Sequence, residues 1–146
     1  MEGIARQIRE AVEQASAPLA ALSNQQAAAR PAPDKWSKKE TLGHLIDSAA
    51  NNHQRFVRAC YGAAMAFPPY SQNDWVRIQH YQESDWSTLV SLWSAYNHHL
   101  AGIIERIPRD ALSAQCNAGT QGVVTLEFVI TDYLRHLRHH LEQLLG

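Results

Sequence analysis

The C-terminal stretch from Thr125 to Gly146 constrains the fold most, because it has the periodicity of one amphipathic helix. At about 100° per residue its apolar side chains fall within an arc of about 140°, which is typical of a helix packed against a core. The arc comprises Leu126, Val129, Ile130, Tyr133, Leu134, Leu137, Leu141 and Leu144. The stretch therefore predicts a helix that needs other apolar elements to cover one of its faces.

The same stretch carries three of the eight histidines, and the helical phase separates them. His136 and His140 are four residues apart, lie one turn above the other and flank the apolar arc. His139 lies about 150° from the centre of the arc and is expected in solvent. Two neutral imidazoles at this spacing can share one divalent metal. Because two histidines cannot complete a site, a polar shoulder of a helical bundle explains the pair equally well.

Length and composition limit the classes of protein that this chain can belong to. A chain of 146 residues predicts one domain, 1–146. The formal charge of −1 gives no basic excess for binding a phosphate backbone, so no nucleic acid partner is expected. No apolar run approaches the roughly 20 residues that span a bilayer, and the N-terminus lacks a signal-peptide pattern. We therefore expect a cytoplasmic protein without a membrane partner, in which Cys60 and Cys116 are free thiols.

Two helices are predicted in the first part of the chain. The first covers residues 2–29 with a kink at Pro18, and the PAPDKW segment ends it. The second starts at a capping box formed by Ser37 and Glu40 and runs to about Cys60.

A third helix is predicted to begin at a Ser84 cap and to carry the most apolar face of the chain. Two long connections without a sustained period, 62–83 and 109–124, separate the second, third and last helices. The first connection is rich in aromatic residues and is expected to fold over another element, because loops of this length are usually functional. Four helices with such connections predict an all-α four-helix bundle.

The second helix has two contrasting faces. Its apolar arc includes His53. The opposite side is a continuous polar stripe of His44, Ser48, Asn51 and Arg55, with Asp47 at its margin. Periodicity alone therefore places His53 in the core and His44 in solvent.

Several motifs follow one another along nearly the whole chain. They are Trp36-Ser37, His44-x-x-Asp47-Ser48, Arg55-Phe56, the PPY-x-x-x-x-W segment from Pro68 to Trp75, and His136 with His140. Together they resemble the DinB superfamily, and in particular its YfiT-like branch of metal-dependent hydrolases and thiol transferases. The resemblance implies an up-down-down-up four-helix bundle, often dimeric, in which three histidines hold a divalent metal.

The resemblance also assigns individual residues. It makes His44, His136 and His140 the metal ligands, and it gives no such role to His53, His80, His98, His99 or His139. It reverses the interpretation of the polar stripe, since His44 would face a cavity lined by Asp47, Ser48, Asn51 and Arg55. In that case the outer nitrogen of His44 needs an acceptor, for which Asp47 is a candidate. His44→Ala would then lower metal affinity with little loss of stability, whereas His53→Ala would cost stability and spare the metal.

A site with three imidazole ligands leaves a metal at least one open position, as catalytic sites do. One function is the transfer of a low-molecular-weight thiol to an electrophilic small molecule, with Arg55 holding a carboxylate of the thiol cofactor or the substrate. The other is hydrolysis of an amide or ester by metal-activated water. Zinc and nickel are the preferred metals, although imidazole also suits copper and iron.

A third function is a non-catalytic, stress-associated dimer that binds metal. A homodimer is expected from the resemblance and from the third helix, whose Trp86, Trp93 and Tyr96 rings could enter an interface. The alternative is that these rings fill the core of the monomer.

Overall fold

Four long helices form the framework of the protein: α1 (Glu2–Ala20), α3 (Lys38–Ala59), α5 (Trp86–Glu105) and α6 (Leu126–Leu145). The structure is a computed structural model that describes residues 1–62, 65–117 and 122–146. The helices α1 and α3 each pack against both α5 and α6. The four helices form the up-down-down-up bundle that the sequence resemblance implies.

The apolar faces of the four helices meet in one core. Each helix contributes fully buried side chains, among them Ile8, Leu45, Trp93 and Ile130. The predicted arc of the last helix is confirmed, since all eight of its apolar side chains are buried. Burial of this kind stabilises a helix far more than its intrinsic propensity does, so the amphipathic pattern explains why these segments form helices here.

The first predicted helix is in fact two helices. The helix α1 contains Pro18 but ends at Ala20, and a short helix α2 (Asn24–Ala28) follows. Ser23 starts α2 with a capping box, because its side chain accepts a hydrogen bond from the amide of Gln26 and the Gln26 side chain accepts one from Ser23. The prediction of one continuous helix over 2–29 is therefore wrong, because this capping box starts a second helix.

The capping predictions for the other helices are confirmed with one correction. Ser37 and Glu40 form the predicted capping box of α3, and Thr125 caps α6 by accepting a hydrogen bond from Phe128 N. The cap of α5 is Asp85 and not Ser84, since Asp85 Oδ2 accepts from Thr88 N at 2.9 Å.

The two long connections have structure of their own. The first contains β1 (Met65–Ala66), α4 (Gln72–Ile78) and a 3-10 helix (Tyr81–Glu83). The second contains a 3-10 helix (Arg109–Ser113), β2 (Gln115–Asn117) and β3 (Val123–Thr125). The strand β2 pairs in parallel with β1 and antiparallel with β3, so a small sheet ties the two connections together. No strand was expected from the sequence. Residues 63–64 and 118–121 of these connections lie outside the described residues.

The first connection is fastened to the start of α3, which confirms that it folds over another element. Ser37 Oγ donates a hydrogen bond to Gln82 Oε1 at 2.6 Å, and Lys39 Nζ donates one to Ser84 O at 2.6 Å. The segment around Tyr81 is therefore held against the polar side of α3.

The aromatic residues of α5 lie in the monomer. Trp86 and Trp93 are buried, and Trp86 Nε1 donates to Leu19 O at 2.8 Å. Tyr96 is half-buried against His53. The alternative that these rings fill the monomer core is therefore correct, and they give no argument for a dimer. Across the described ranges, none of the helices is both long and apolar enough to cross a membrane.

Candidate metal centre

Three histidines meet where α3 packs against α6. His44 comes from α3, and His136 and His140 come from successive turns of α6. Their rings are 4.6–5.0 Å apart between centroids, and each offers one nitrogen that lies within 4.8 Å of the others. His44 Nε2 and His136 Nε2 are 3.1 Å apart. The structure thus brings together the ligand set that the resemblance implies.

His44 is fully buried, so the solvent position that helical periodicity predicted for it is wrong. The part of the polar stripe that carries His44, Asp47 and Ser48 does not face solvent, because α6 and the segment around Tyr81 cover it. Trp36 adds to this cover, with its ring centroid 5.2 Å from that of His44. His53, which the phase placed in the core, is only half-buried and lies within hydrogen-bond distance of Tyr96 OH, at 3.1 Å.

Burial keeps the three rings neutral at physiological pH. Burial together with the nearby His136 and His140 lowers the pKa of His44 to about 3. Burial and His140 likewise lower the pKa of His136 to about 4, and burial lowers the pKa of His140. The cause is the same in each case, since a low-dielectric site disfavours imidazolium and neighbouring cations repel one another. Neutral imidazole is the form that binds a metal.

The outer nitrogens of two rings already have partners. His140 Nδ1 donates to Gln143 Oε1 at 2.9 Å, which leaves His140 Nε2 with a free lone pair. His136 Nδ1 lies 3.4 Å from Ser48 Oγ. Among the described residues, His44 Nδ1 has no hydrogen-bond partner. The donor set therefore fits a divalent cation, which His44, His136 and His140 would hold.

Asp47 does not contact His44, although it was the predicted acceptor. Its Oδ1 accepts hydrogen bonds from Tyr81 OH and from Gln79 Nε2, both at 2.6 Å. Its Oδ2 is buried and has no partner within the described part of the chain. Burial raises the pKa of this carboxyl group, while the two hydrogen bonds act in the opposite direction.

The two remaining residues of the stripe lie further along α3 and are half-buried. Asn51 Nδ2 donates to Asp47 O at 2.9 Å, so its side chain is engaged on its own helix. The Arg55 guanidinium lies over the Phe67 ring, 5.8 Å from the centroid. No carboxylate pairs with Arg55 in the described ranges. At about 1.5 Å per residue, Arg55 lies about 16 Å along the helix axis from His44.

A cavity of about 720 Å³ reaches the site beside His140. Its walls include Trp36, Lys38, Asn73 and Gln143. Ser48, Asn51 and Arg55 do not line it, so this cavity is not the one predicted from the polar stripe. A volume of this size suits a small molecule.

The other histidines do not belong to the three-histidine group. His139 is exposed and accepts from Gln143 Nε2 at 3.0 Å, as the helical phase predicted for a solvent position. His98 and His99 are exposed on α5, and His80 is exposed between α4 and the 3-10 helix.

Sequence reasoning missed four residues that support the site. They are Trp36 against His44, Gln143 on His140, and Gln79 and Tyr81 on Asp47. The spacing of three residues between His140 and Gln143 on one helix was a usable signal. Gln79 and Tyr81 gave none, because their contacts cross from a connection to a helix.

Fold and site together define a four-helix bundle with a three-histidine group that suits a divalent metal, in which His44 is buried and His136 and His140 are half-buried. A family model of the DinB superfamily matches residues 6–144, and the chain therefore belongs to the DinB superfamily.

One sequence relative and two solved structures are similar to this chain. YfiT of Bacillus subtilis (strain 168), provisionally named a metal-dependent hydrolase, is 22% identical over 107 residues, which are 73% of this chain and 60% of YfiT. The chain thus matches less than two thirds of that relative's length. The solved structure of YfiT superposes with a TM-score of 0.87 at 17% identity, over 97% of this chain and 82% of YfiT. The mycothiol-dependent maleylpyruvate isomerase superposes with a TM-score of 0.79 at 16% identity, over 98% of this chain and 60% of that protein.

Proposed function

We propose that the protein is an enzyme in which His44, His136 and His140 hold one divalent metal ion. The observation that carries this proposal is the convergence of three neutral imidazoles, with one nitrogen of each within 4.8 Å of the others. Three such rings, one buried and two half-buried, do not serve the core, because burying polar groups costs free energy that apolar side chains would not. The name of YfiT supports metal dependence in this family.

Zinc and nickel are the metals that we propose. Three imidazoles are borderline ligands that suit both ions and leave room for a further ligand. Elemental analysis of protein purified without a histidine tag tests this directly. One equivalent of metal in the wild type, lost when His136 and His140 are both replaced by alanine, supports the site. A wild type that takes up neither metal on titration would overturn it.

The reaction that we propose is the transfer of a low-molecular-weight thiol to an electrophilic small molecule. When bound, the metal would stabilise the thiolate form of a coordinated thiol. The chain's own residues would keep water away and position the reactants. Trp36 and the α3–α6 contact enclose His44. Arg55, which has no carboxylate partner among the described residues, can bind a carboxylate through its planar fork. The mycothiol dependence of a protein with the same fold supports this choice.

Hydrolysis of an amide or ester is the second candidate, and the name of YfiT favours it. Here the metal would activate water in place of a thiol. The two reactions differ in one requirement. Metal-loaded protein should consume electrophiles only in the presence of a thiol if it is a transferase, and should cleave esters or amides without one if it is a hydrolase.

A screen with a panel of thiols, mycothiol among them, against maleate-like electrophiles and chromogenic esters decides between the two. The His136→Ala variant is the control for background reaction. Turnover of an electrophile that requires a thiol supports the transferase. Turnover of an ester or amide without a thiol supports the hydrolase instead. Metal binding without turnover in either assay would favour the non-catalytic, stress-associated alternative.

We also propose that the protein forms a homodimer and acts in the cytoplasm on a small molecule. The support for the dimer is the family resemblance alone, since the α5 tryptophans are buried in the monomer. Light scattering across a range of concentrations tests it. A mass near the 16.4 kDa of one chain at every concentration would exclude the dimer.

A further inference from the structure

Two buried polar atoms beside the histidine group have no partner among the described residues: His44 Nδ1 and Asp47 Oδ2. His44 is 0% exposed and Asp47 is 2% exposed, so bulk solvent does not reach either atom. Leaving such a group unpaired costs free energy. The two residues are three apart on α3 and so lie on neighbouring turns of the same face. A ring N–H and a carboxylate oxygen are complementary, yet here they do not meet.

Metal binding would decide which ring nitrogen of His44 carries the proton. A neutral imidazole that coordinates through Nε2 carries its proton on Nδ1, where it must be donated. His140 Nδ1 already donates to Gln143 Oε1, and His136 Nδ1 is within reach of Ser48 Oγ. Only His44, of the three, lacks an acceptor in the described structure.

We propose that Asp47 is the positioning residue of His44, and that its Oδ2 accepts a hydrogen bond from His44 Nδ1 when Nε2 binds the metal. The inference rests on the proposed metal site. Histidines that bind metals usually donate their other nitrogen to a carboxylate, carbonyl or water, which fixes the tautomer and the ring orientation. Here the two atoms that lack partners among the described residues would satisfy each other.

Two residues of the first connection, Gln79 and Tyr81, hold the Asp47 carboxylate in place. Tyr81 OH and Gln79 Nε2 both donate to its Oδ1, which leaves Oδ2 as the free oxygen. His80 lies between them with left-handed backbone angles (φ 53°, ψ 39°), and this turn lets both neighbours reach α3. The Tyr81 ring also packs on Gly43, where an added Cβ would lie 2.2 Å from Tyr81 Cδ2. The segment 79–81 therefore orients Asp47, and through it His44.

Asp47→Asn tests the hydrogen bond because the amide oxygen must still accept from Tyr81 and Gln79. The amide NH₂ would then face His44 Nδ1–H, so that two donors oppose each other. We expect zinc affinity, measured by calorimetry on metal-free protein, to fall about 10- to 100-fold. Asp74→Asn is the matched control, since it removes an exposed carboxylate from the same connection and should bind zinc as the wild type does.

A role in folding alone would not reproduce two further results. In the zinc-loaded wild type, nitrogen-15 NMR of labelled histidine should show a protected His44 Nδ1–H, and this signal should be lost or shifted in Asp47→Asn. In a double-mutant cycle, Asp47→Asn should weaken zinc binding far less in a His44→Ala background than in the wild type, because its effect passes through His44.

The outcomes separate this inference from the proposed function. A wild type that binds zinc or nickel, with equal affinity in Asp47→Asn and an unchanged His44 signal, overturns the role of Asp47 and leaves the metal site standing. A wild type that binds neither metal overturns the proposed function and the inference with it. Denaturation of metal-free Asp47→Asn shows whether the variant is folded, and Tyr81→Phe provides a second variant that keeps the ring on Gly43.

Discussion

His44 Nε2 lies 3.1 Å from His136 Nε2, although the two residues are 92 positions apart in the chain. Without a bound cation, two such nitrogens approach this closely when one donates a hydrogen bond to the other, which requires that at least one ring is neutral. Burial favours the neutral form of both rings, since it lowers the pKa of each. The contact between α3 and α6 therefore builds, in the fold itself, a pair of nitrogens that a cation can bind by displacing one proton.

The adjacent residues His139 and His140 should respond differently to replacement by alanine. His140 belongs to the three-histidine group, whereas His139 is exposed and contacts Gln143 and the His140 ring. His140→Ala should lose bound zinc, and His139→Ala should keep one equivalent with unchanged thermal stability. Elemental analysis after dialysis measures both. Equal loss of metal from the two variants would contradict the assignment of His140.

His44→Ala and His53→Ala should also separate metal binding from surface packing. His44→Ala should weaken zinc binding more than about 100-fold, because losing a ligand costs more than losing its hydrogen-bond partner. His53 lies away from the three-histidine group, and His53→Ala should leave zinc affinity unchanged. Calorimetric titration of zinc into both metal-free variants measures this, and weak binding by His53→Ala would argue against the proposed ligand set.

The stability of these two variants should be the reverse of what the helical phase predicted. His44 is fully buried, so His44→Ala leaves a cavity and should cost about 1–3 kcal/mol in the metal-free protein. His53 is half-buried, and its replacement should cost less than about 1 kcal/mol. Urea denaturation of both variants without metal measures the difference.

Much of the fold could be predicted from local pattern. Apolar arcs and caps such as Ser37 with Glu40 report local geometry, and α3, α5 and α6 were placed to within a few residues. The break before α2 was also encoded locally, since Ser23 and Gln26 have the spacing of a capping box. The small sheet was not predictable in this way, because its strands are two or three residues long and pair between connections far apart in sequence.

The site was only partly predictable, for a physical reason. The spacing of His136 and His140 shows that they share a helix face, which periodicity can report. Periodicity describes the polarity of a face but not what packs against it. The polar stripe with His44 is buried by α6 and by Tyr81, and both contacts are distant in sequence. The family resemblance placed His44 beside His136 and His140, which helical periodicity could not do.

The metal-free protein should become less stable as the pH falls below about 6.5. In the unfolded chain each imidazole binds a proton near its ordinary pKa of 6.5, whereas folding lowers the pKa of His44 to about 3 and of His136 to about 4. Between pH 6.5 and the lowered pKa of each ring, the unfolded state binds more protons than the folded state. As the pH falls through this range, the free energy of unfolding therefore falls by up to about 1.4 kcal/mol per pH unit for each ring. Above pH 6.5 this contribution is complete.

Urea denaturation of metal-free protein between pH 7.5 and pH 4 measures this dependence. His136→Asn should show a shallower slope than the wild type, and His139→Asn should match the wild type. Asp47 acts in the opposite direction, since burial raises its pKa, but it is present in all three proteins and cancels in the comparison. Equal slopes in the wild type and His136→Asn would contradict the burial of a neutral ring at this position.

Gly43→Ala should destabilise the protein and disturb the metal site together. The added Cβ would lie 2.2–2.6 Å from three atoms of the Tyr81 ring, which cannot move away without losing its hydrogen bond to Asp47. Overpacking of this kind costs about 1–3 kcal/mol, more than the gain of up to about 1 kcal/mol from replacing glycine within a helix. Gly102→Ala is the matched control, because the nearest atom to its Cβ is the flexible Arg106 Nη1 at 3.5 Å. Gly102→Ala should be as stable as the wild type or slightly more stable, and it should bind zinc normally. Thermal denaturation and zinc titration of both variants measure these effects, and a Gly43→Ala protein with wild-type stability and affinity would show that Tyr81 does not constrain the site.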